Sequence, residues 1–268
     1  MANKNFDFGA NWGKFIRDIN EETVNTAVES LQKSLSLNSF KGMRFLDIGC
    51  GSGLFSLAAM KLNAADVLSF DYSEKSVNAA NVLKDKYFKN SPNWKILQAS
   101  VLDKQFLQTL GLFDIVYSWG VLHHTGDMEQ ALGNAALPVK NNGLLFIAIY
   151  NDQGSVSRRW TGIKKIYNVL PGFLQTLYVL MIMSLFELKH AMAMLLQIKN
   201  PFYRLKGGQK RGMRVFRDWV DWIGGYPFEV AKPEEIFNFY HNRGFSLEYL
   251  KTCGGGMGNN EFIFKKVL

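Results

Sequence analysis

The chain has 268 residues, of which 47% are hydrophobic, and a formal net charge of +8. That is enough apolar sequence for a full core, and the length favours one domain with an insertion over two independent domains. Two cysteines without a C-x-x-C spacing exclude a disulfide framework, and the first residues lack the apolar stretch of a secretion signal, so a cytoplasmic protein is expected.

An N-terminal arm comes first, with Phe6, Phe8, Asn11 and Trp12 near its start and a helix over 21–35. Then Phe45-Leu46-Asp47-Ile48 reads as a buried strand that runs into Gly49-Cys50-Gly51-Ser52-Gly53 and a helix-compatible segment over 54–61. Glycines let the backbone turn sharply and approach a ligand with no Cβ in the way. The helix that follows directs unpaired N–H groups at the same place. A dinucleotide loop spaced G-x-G-x-x-G would need its third glycine at position 54, where Leu54 stands, and no Gly-Lys-Ser/Thr follows to make a P-loop.

Val67 to Asp71 reads as a second strand ending in an acid, roughly twenty residues after the loop. Further short apolar runs follow at 94–100, 113–118 and 143–150, separated by helical or polar sequence. This alternation predicts parallel strands joined by helices. Near the end, Pro233, Glu234 and Glu235 open a helix over 232–243 that Gly244 stops. Two strands over 245–253 and 260–267 then flank Gly254-Gly255-Gly256-Met257-Gly258.

The pattern D-x-G-x-G-x-G at Asp47 to Gly53, the acid Asp71, the strand order and the closing helix and hairpin resemble the class I S-adenosylmethionine-dependent methyltransferases. Within that class the core is most similar to small-molecule enzymes of the ubiquinone-biosynthesis O-methyltransferase type. The resemblance covers about 40–152 and resumes at 232–268. It implies an α/β fold: a Rossmann-like seven-stranded sheet with helices on both faces. The expected organisation is a helical arm over 1–40, a methyltransferase domain over 41–152 and 232–268, and a basic, mostly helical cap over 153–231.

The same resemblance implies S-adenosylmethionine as cofactor and S-adenosylhomocysteine as product. Asp47 and the backbone of Gly49, Gly51 and Gly53 would flank the methionine moiety. Asp71 would hold the ribose hydroxyls, Tyr72 would lie against the adenine, and Ser100 and Val101 would follow the third strand. Many family members have aspartate where Ser100 stands, so any contact to the adenine amine passes to the Val101 backbone. Trp119 begins the segment where cofactor and substrate would meet. The sequence Ser118-Trp119-Gly120-Val121 differs from the Asn/Asp-Pro-Pro-Tyr/Phe of enzymes that methylate nucleic acid bases, which excludes that substrate class.

Methyl transfer asks a protein mainly to orient the partners and to remove a proton where needed. His123 and His124, expected at the start of the helix after the fourth strand, are candidate bases. Tyr150 and Asn151 end the fifth strand at the edge where open sheets bind ligands, Tyr150 being a candidate catalytic group and Asn151 a substrate contact. Trp12 in the arm, and Tyr226 and Glu229 in an aromatic stretch rich in turn residues, are further substrate-contact candidates. No metal site is expected.

The insertion holds the charge. Residues 153–231 carry twelve Lys and Arg against four Asp and Glu, a net +8, so the rest of the chain is neutral. Helix breaks are expected at Pro171-Gly172, Asn200-Pro201 and Gly207-Gly208. The stretch 173–186 is apolar nearly all round but falls short of the roughly 20 apolar residues a membrane span requires. Three roles compete for it: a buried or dimer-forming helix, a lid over the substrate, and a helix on a membrane surface. The basic residues around it suit an anionic acceptor or acidic lipid; aromatic residues are not interleaved with them, which disfavours nucleic acid. The expected function is methyl transfer to a small molecule, with oxygen as acceptor. Its alternatives are a membrane-surface lipid or quinone methyltransferase and a non-catalytic S-adenosylmethionine sensor or scaffold.

Overall fold

The structure is a computed structural model, and it describes Phe6, Gly9, Ile16 and residues 19–196 and 215–267. Two compact units divide the chain: Asp7–Ser157 with Pro227–Leu268, and Met1–Phe6 with Arg158–Tyr226.

Among the described residues, the first long element of the larger unit is helix α1 (Glu21–Leu35). The Asn20 side chain accepts from the Thr23 N–H at its start and two acids sit in its first turn. Its buried stripe of Val24, Ala27, Leu31 and Leu35 has helical spacing. There follow β1 (Arg44–Ile48), α2 (Leu54–Lys61), β2 (Asp66–Asp71), α3 (Glu74–Phe88), β3 (Trp94–Gln98), α4 (Lys104–Thr109), β4 (Phe113–Trp119), α5 (Met128–Ala136) and β5 (Val139–Tyr150). Helix α6 (Ser155–Val169) begins here and continues in the smaller unit. The chain comes back for α9 (Pro233–His241), β6 (Phe245–Lys251) and β7 (Asn259–Lys266).

The strands form one seven-stranded sheet in the order β3-β2-β1-β4-β5-β7-β6. All neighbours through β5 are parallel, and β7 runs antiparallel between β5 and β6. This is the Rossmann-like arrangement expected, with the order reversing between β1 and β4. Strand β5 begins at Val139, four residues ahead of the expected 143. Gly143 lies within the strand, at a position where a Cβ would come within 2.8 Å of the Lys140 carbonyl oxygen. Strand β6 stops at Lys251, short of the expected 253.

The sheet alternates its contacts strictly. Leu46, Ile48, Leu68, Phe70, Val116, Leu145, Ile147, Phe262 and Phe264 share a core with Leu107, Leu132, Ala135, Ile236 and Tyr240 from the helices. Asp47 is paired with Ser69 and Tyr117 across neighbouring strands, so these three point to the opposite face. On that face Tyr117 packs against Phe45, Phe55 and Phe146.

In the smaller unit, α6 and α7 (Gly172–Leu196) are neighbours joined at Leu170-Pro171, where the sequence predicts a break. The Tyr178 hydroxyl donates to the Ile163 carbonyl and Gln175 Nε2 to the Tyr167 carbonyl, so the two helices run antiparallel. Helix α8 (Val215–Gly224) closes the unit: Trp222 packs edge-on against Trp160, and Asn168 Nδ2 donates to the Gly224 carbonyl at 2.7 Å. Lys164 is buried here, its ammonium over the Trp222 ring and bonded to the Trp222 carbonyl. The helix breaks expected at Asn200-Pro201 and Gly207-Gly208 lie outside the described residues.

The apolar helix, for which a buried or dimer-forming role, a lid and a membrane-surface role compete, is buried on one side and exposed on the other. Val179 and Met183 of α7 are buried, while a stripe of apolar residues along the helix is exposed.

Candidate functional site

The loop Gly49–Gly53 sits where β1 and β4 part, the crevice at which open α/β sheets bind ligands. All three glycines have positive φ, at 73°, 53° and 78°. Gly49 and Cys50 both donate their backbone N–H to the Phe70 carbonyl, which folds the loop back against the end of β2. A Cβ on Gly49 would overlap the methyl groups of Val121, and one on Gly53 would touch Ala80. The loop is therefore held from both sides, with no room for side chains at these positions.

Asp71 ends β2 beside the loop. One carboxylate oxygen accepts the Gly51 N–H and the other the Ser73 N–H, each at 2.9 Å. Burial raises its pKa, while these bonds and one from Ser76 oppose the rise. A carboxylate has about four acceptor sites, so with three of these bonds made about one remains for a sugar hydroxyl. The next residue, Tyr72, is 75% exposed, although its backbone carbonyl is held by Gln98 Nε2 at 3.2 Å. An exposed ring next to a half-buried acid is a surface that a planar base attached to a ribose would cover.

Asp47 is buried under the loop at 2% exposure. Burial pushes its carboxyl up to about 7; the Ser56 hydrogen bond opposes this and the Asp71 charge adds to it. Its partners form a chain with one direction. The Trp94 indole, a donor only, bonds Ser69 Oγ at 2.9 Å; the Ser69 and Ser56 hydroxyls meet at 2.7 Å; and Ser56 Oγ donates to Asp47 at 2.5 Å. Ser56, Ser69 and Trp94 were not among the residues that sequence reasoning selects. A serine in the otherwise apolar strand Val67-Leu68-Ser69-Phe70 is the signal that marks them.

Ser100 and Val101 follow β3. Ser100 Oγ accepts the Leu102 N–H at 3.1 Å, and the Val101 side chain is buried while its carbonyl accepts from Asn134 at 2.8 Å. Trp119 ends β4, in register with Ala148 of β5.

His123 and His124 lie in a 3-10 turn, Leu122–His124, four residues ahead of α5 rather than at a helix start. Gly126, at φ 84°, separates the two. The histidines are in different situations. His123 is fully buried, its ring centroid 4.0 Å from that of Tyr150, and its Nδ1 accepts the Tyr150 N–H at 3.4 Å. His124 is half-buried, and its Nδ1 lies 2.6 Å from the Pro227 carbonyl oxygen. A carbonyl only accepts, so Nδ1 carries the proton, and the neutral ring then has its basic lone pair on Nε2. Tyr150 packs edge-on against His124 and also against Phe228, which joins it to the same cluster.

The remaining candidates are placed differently. The Glu229 carboxylate accepts the N–H groups of Gly126 and Met128, both at 3.1 Å, and so anchors the turn and the start of α5. Asn151 donates to the Gly256 carbonyl and accepts from the buried Asn260 at 3.0 Å, a bracing role for the 254–258 turn. Both side chains therefore hold neighbouring loops through these bonds. Tyr226 belongs to the smaller unit, where its carbonyl accepts the Phe6 N–H at 2.9 Å and the Lys165 ammonium lies 5.8 Å from its ring. Trp12 and Asn11 lie outside the described residues. Among the described residues no cluster of three or more His, Cys, Asp or Glu could hold a metal ion.

Comparison with known proteins agrees with this architecture. A family model described as a methyltransferase domain matches residues 39–203, more than half of the chain. The chain therefore belongs to that family, and its fold is that of the class I S-adenosylmethionine-dependent methyltransferases. Among curated proteins it is similar to the ubiquinone biosynthesis O-methyltransferase of Pelagibacter ubique, at 27% identity over 52% of this chain and 58% of that one. The corresponding protein of Rhodopseudomonas palustris (strain BisA53) is 34% identical over 43% of each chain. These matches span less than two thirds of either relative.

Among solved structures, the magnesium protoporphyrin IX methyltransferase of Synechocystis PCC 6803 with bound S-adenosylhomocysteine superposes with a TM-score of 0.53 at 16% identity. It covers 91% of this chain and 82% of that one. The N-methyltransferase NodS of Bradyrhizobium japonicum WM9 gives a TM-score of 0.51 at 14% identity, covering 90% and 85%. At such identities the likeness concerns the fold.

Proposed function

We propose that this chain transfers a methyl group from S-adenosylmethionine to an oxygen of a small molecule. The observation that carries this reading is the joint geometry of the loop and Asp71: three positive-φ glycines and a half-buried acid bonded to Gly51, beside an exposed Tyr72. The residues fit the cofactor. Asp71 would bind the ribose, Tyr72 the adenine, and the loop backbone with Asp47 the methionine part. When bound, the cofactor supplies an electrophilic methyl group on a sulfonium.

The chain's own part is to orient and to move a proton. His124, with Nδ1 fixed on Pro227, holds Nε2 ready to take a proton from an acceptor hydroxyl. His123 and Tyr150 keep that ring in place by edge and face contacts. The names of the curated relatives support an oxygen acceptor on a small molecule. Both described cysteines are free thiols, in keeping with a cytoplasmic location.

The test is incubation with methyl-labelled S-adenosylmethionine and a set of phenolic and carboxylic acceptors. Label should enter an O-methyl product, and the His124→Ala variant should turn over at least about tenfold more slowly. Label found only on nitrogen or sulfur would contradict the oxygen assignment.

A further inference from the structure

Among the described residues, one face of α7 is exposed. Phe173, Leu177, Met181, Leu185, Leu188 and Met192 recur every three or four residues and are each 51–74% exposed. They form a single stripe about 29 Å long at the rise of an α-helix. From 173 to 186 the helix has no charged residue. The apolar patches that monomers leave in water rarely exceed a few hundred Å², and larger ones mark a surface that binds something.

Charge decides what. Residues 153–214 hold eleven Lys and Arg, and Glu187 is the only acid among them. Within the described part, Arg158, Arg159 and Lys165 of α6 are exposed. A second copy of the chain would bring the same positive charge against itself. An anionic bilayer offers the complement: hydrocarbon for the stripe and phosphate for the basic groups. No described helix is long and apolar enough to cross a membrane, so α7 would lie in the plane of the surface.

We propose that the exposed face of α7 docks this protein on an anionic lipid surface. The apolar stripe enters the headgroup boundary, and the basic residues around it select the charge of the lipid. This does not depend on which acceptor is methylated, nor on methyl transfer itself.

The test is flotation of the full-length chain with vesicles of phosphatidylcholine alone or mixed with phosphatidylglycerol. Binding should be at least about tenfold stronger to the mixed vesicles and should weaken on raising the salt. Leu177→Glu with Leu185→Glu should lower it by about tenfold or more per position. Arg158→Gln with Arg159→Gln should weaken binding to the mixed vesicles alone. Calorimetric binding of S-adenosylhomocysteine, unchanged in each variant, shows that they fold. Failure of the wild-type chain to float with the mixed vesicles would overturn the proposal. So would flotation that the leucine variant leaves unchanged, or sedimentation showing a dimer that this variant dissociates in a protein that does not float.

Discussion

Gly51 donates its backbone N–H to the Asp71 carboxylate at 2.9 Å, so the loop after β1 and the acid at the end of β2 are one piece. The bond shapes the loop, and the carboxylate retains about one acceptor site for a ribose hydroxyl. Asp71→Ala removes both functions. It should weaken S-adenosylmethionine binding by about 1.5–3 kcal/mol, roughly ten- to a hundredfold, as read by calorimetry. Asp71→Asn, which can still accept from Gly51, should lose less.

Gly49 meets two restrictions, a φ of 73° and the methyl groups of Val121. Gly49→Ala should therefore lower thermal stability and cofactor affinity together. Adding Val121→Ala relieves the overlap but not the backbone strain, so the double variant should regain part of the loss. Thermal shift with and without S-adenosylhomocysteine distinguishes the two contributions.

The two histidines should separate in experiment. His123→Ala removes a buried ring stacked on Tyr150 and should reduce stability, by roughly 2–4 kcal/mol if it behaves as other large core truncations do. His124→Ala should lower kcat with little change in cofactor affinity.

Two buried charges give opposite stability profiles. Asp47 is raised from 3.8 to about 7. Between those values the native protein holds a proton that the unfolded chain has released, so this group's contribution to stability declines as pH rises from about 4 to about 7. Asp47→Asn should flatten that decline in the ligand-free protein, with Ser56 still able to donate to the amide oxygen. Lys164 is lowered by burial from 10.5 to about 7, with the Asp221 charge opposing. Over that window the unfolded chain binds the extra proton, so stability should rise with pH, and Lys164→Met should remove the rise. Urea midpoints across pH 4–10 check both.

Much of the fold was legible because its signals are local. The strand before the loop is a continuous buried run, the acid Asp71 ends the next strand, and Pro233 with two acids opens α9. Helix α1 falls over the residues its pattern indicates. The boundaries that shifted, at Val139 and Lys251, depend on pairing with neighbouring strands, which no single segment specifies. The candidate site was less legible for a related reason. Glu229 and Asn151 carry polar groups suited to a substrate, yet partners about 100 residues away in sequence bind them. Ser56 and Ser69 look like ordinary small residues until the register sets Ser69 beside Asp47 and α2 lays Ser56 between them. Only the folded chain shows that Pro227 fixes one nitrogen of His124.

The most direct test of the central claim is calorimetric titration of the purified chain with S-adenosylmethionine, S-adenosylhomocysteine and NAD, repeated with Asp71→Ala. Both sulfur ligands should bind at a single site, NAD should not compete, and the variant should lose roughly ten- to a hundredfold in affinity for each. Wild-type affinity in Asp71→Ala, or tighter binding of NAD than of S-adenosylmethionine, would contradict the assignment of this loop and acid as the cofactor site.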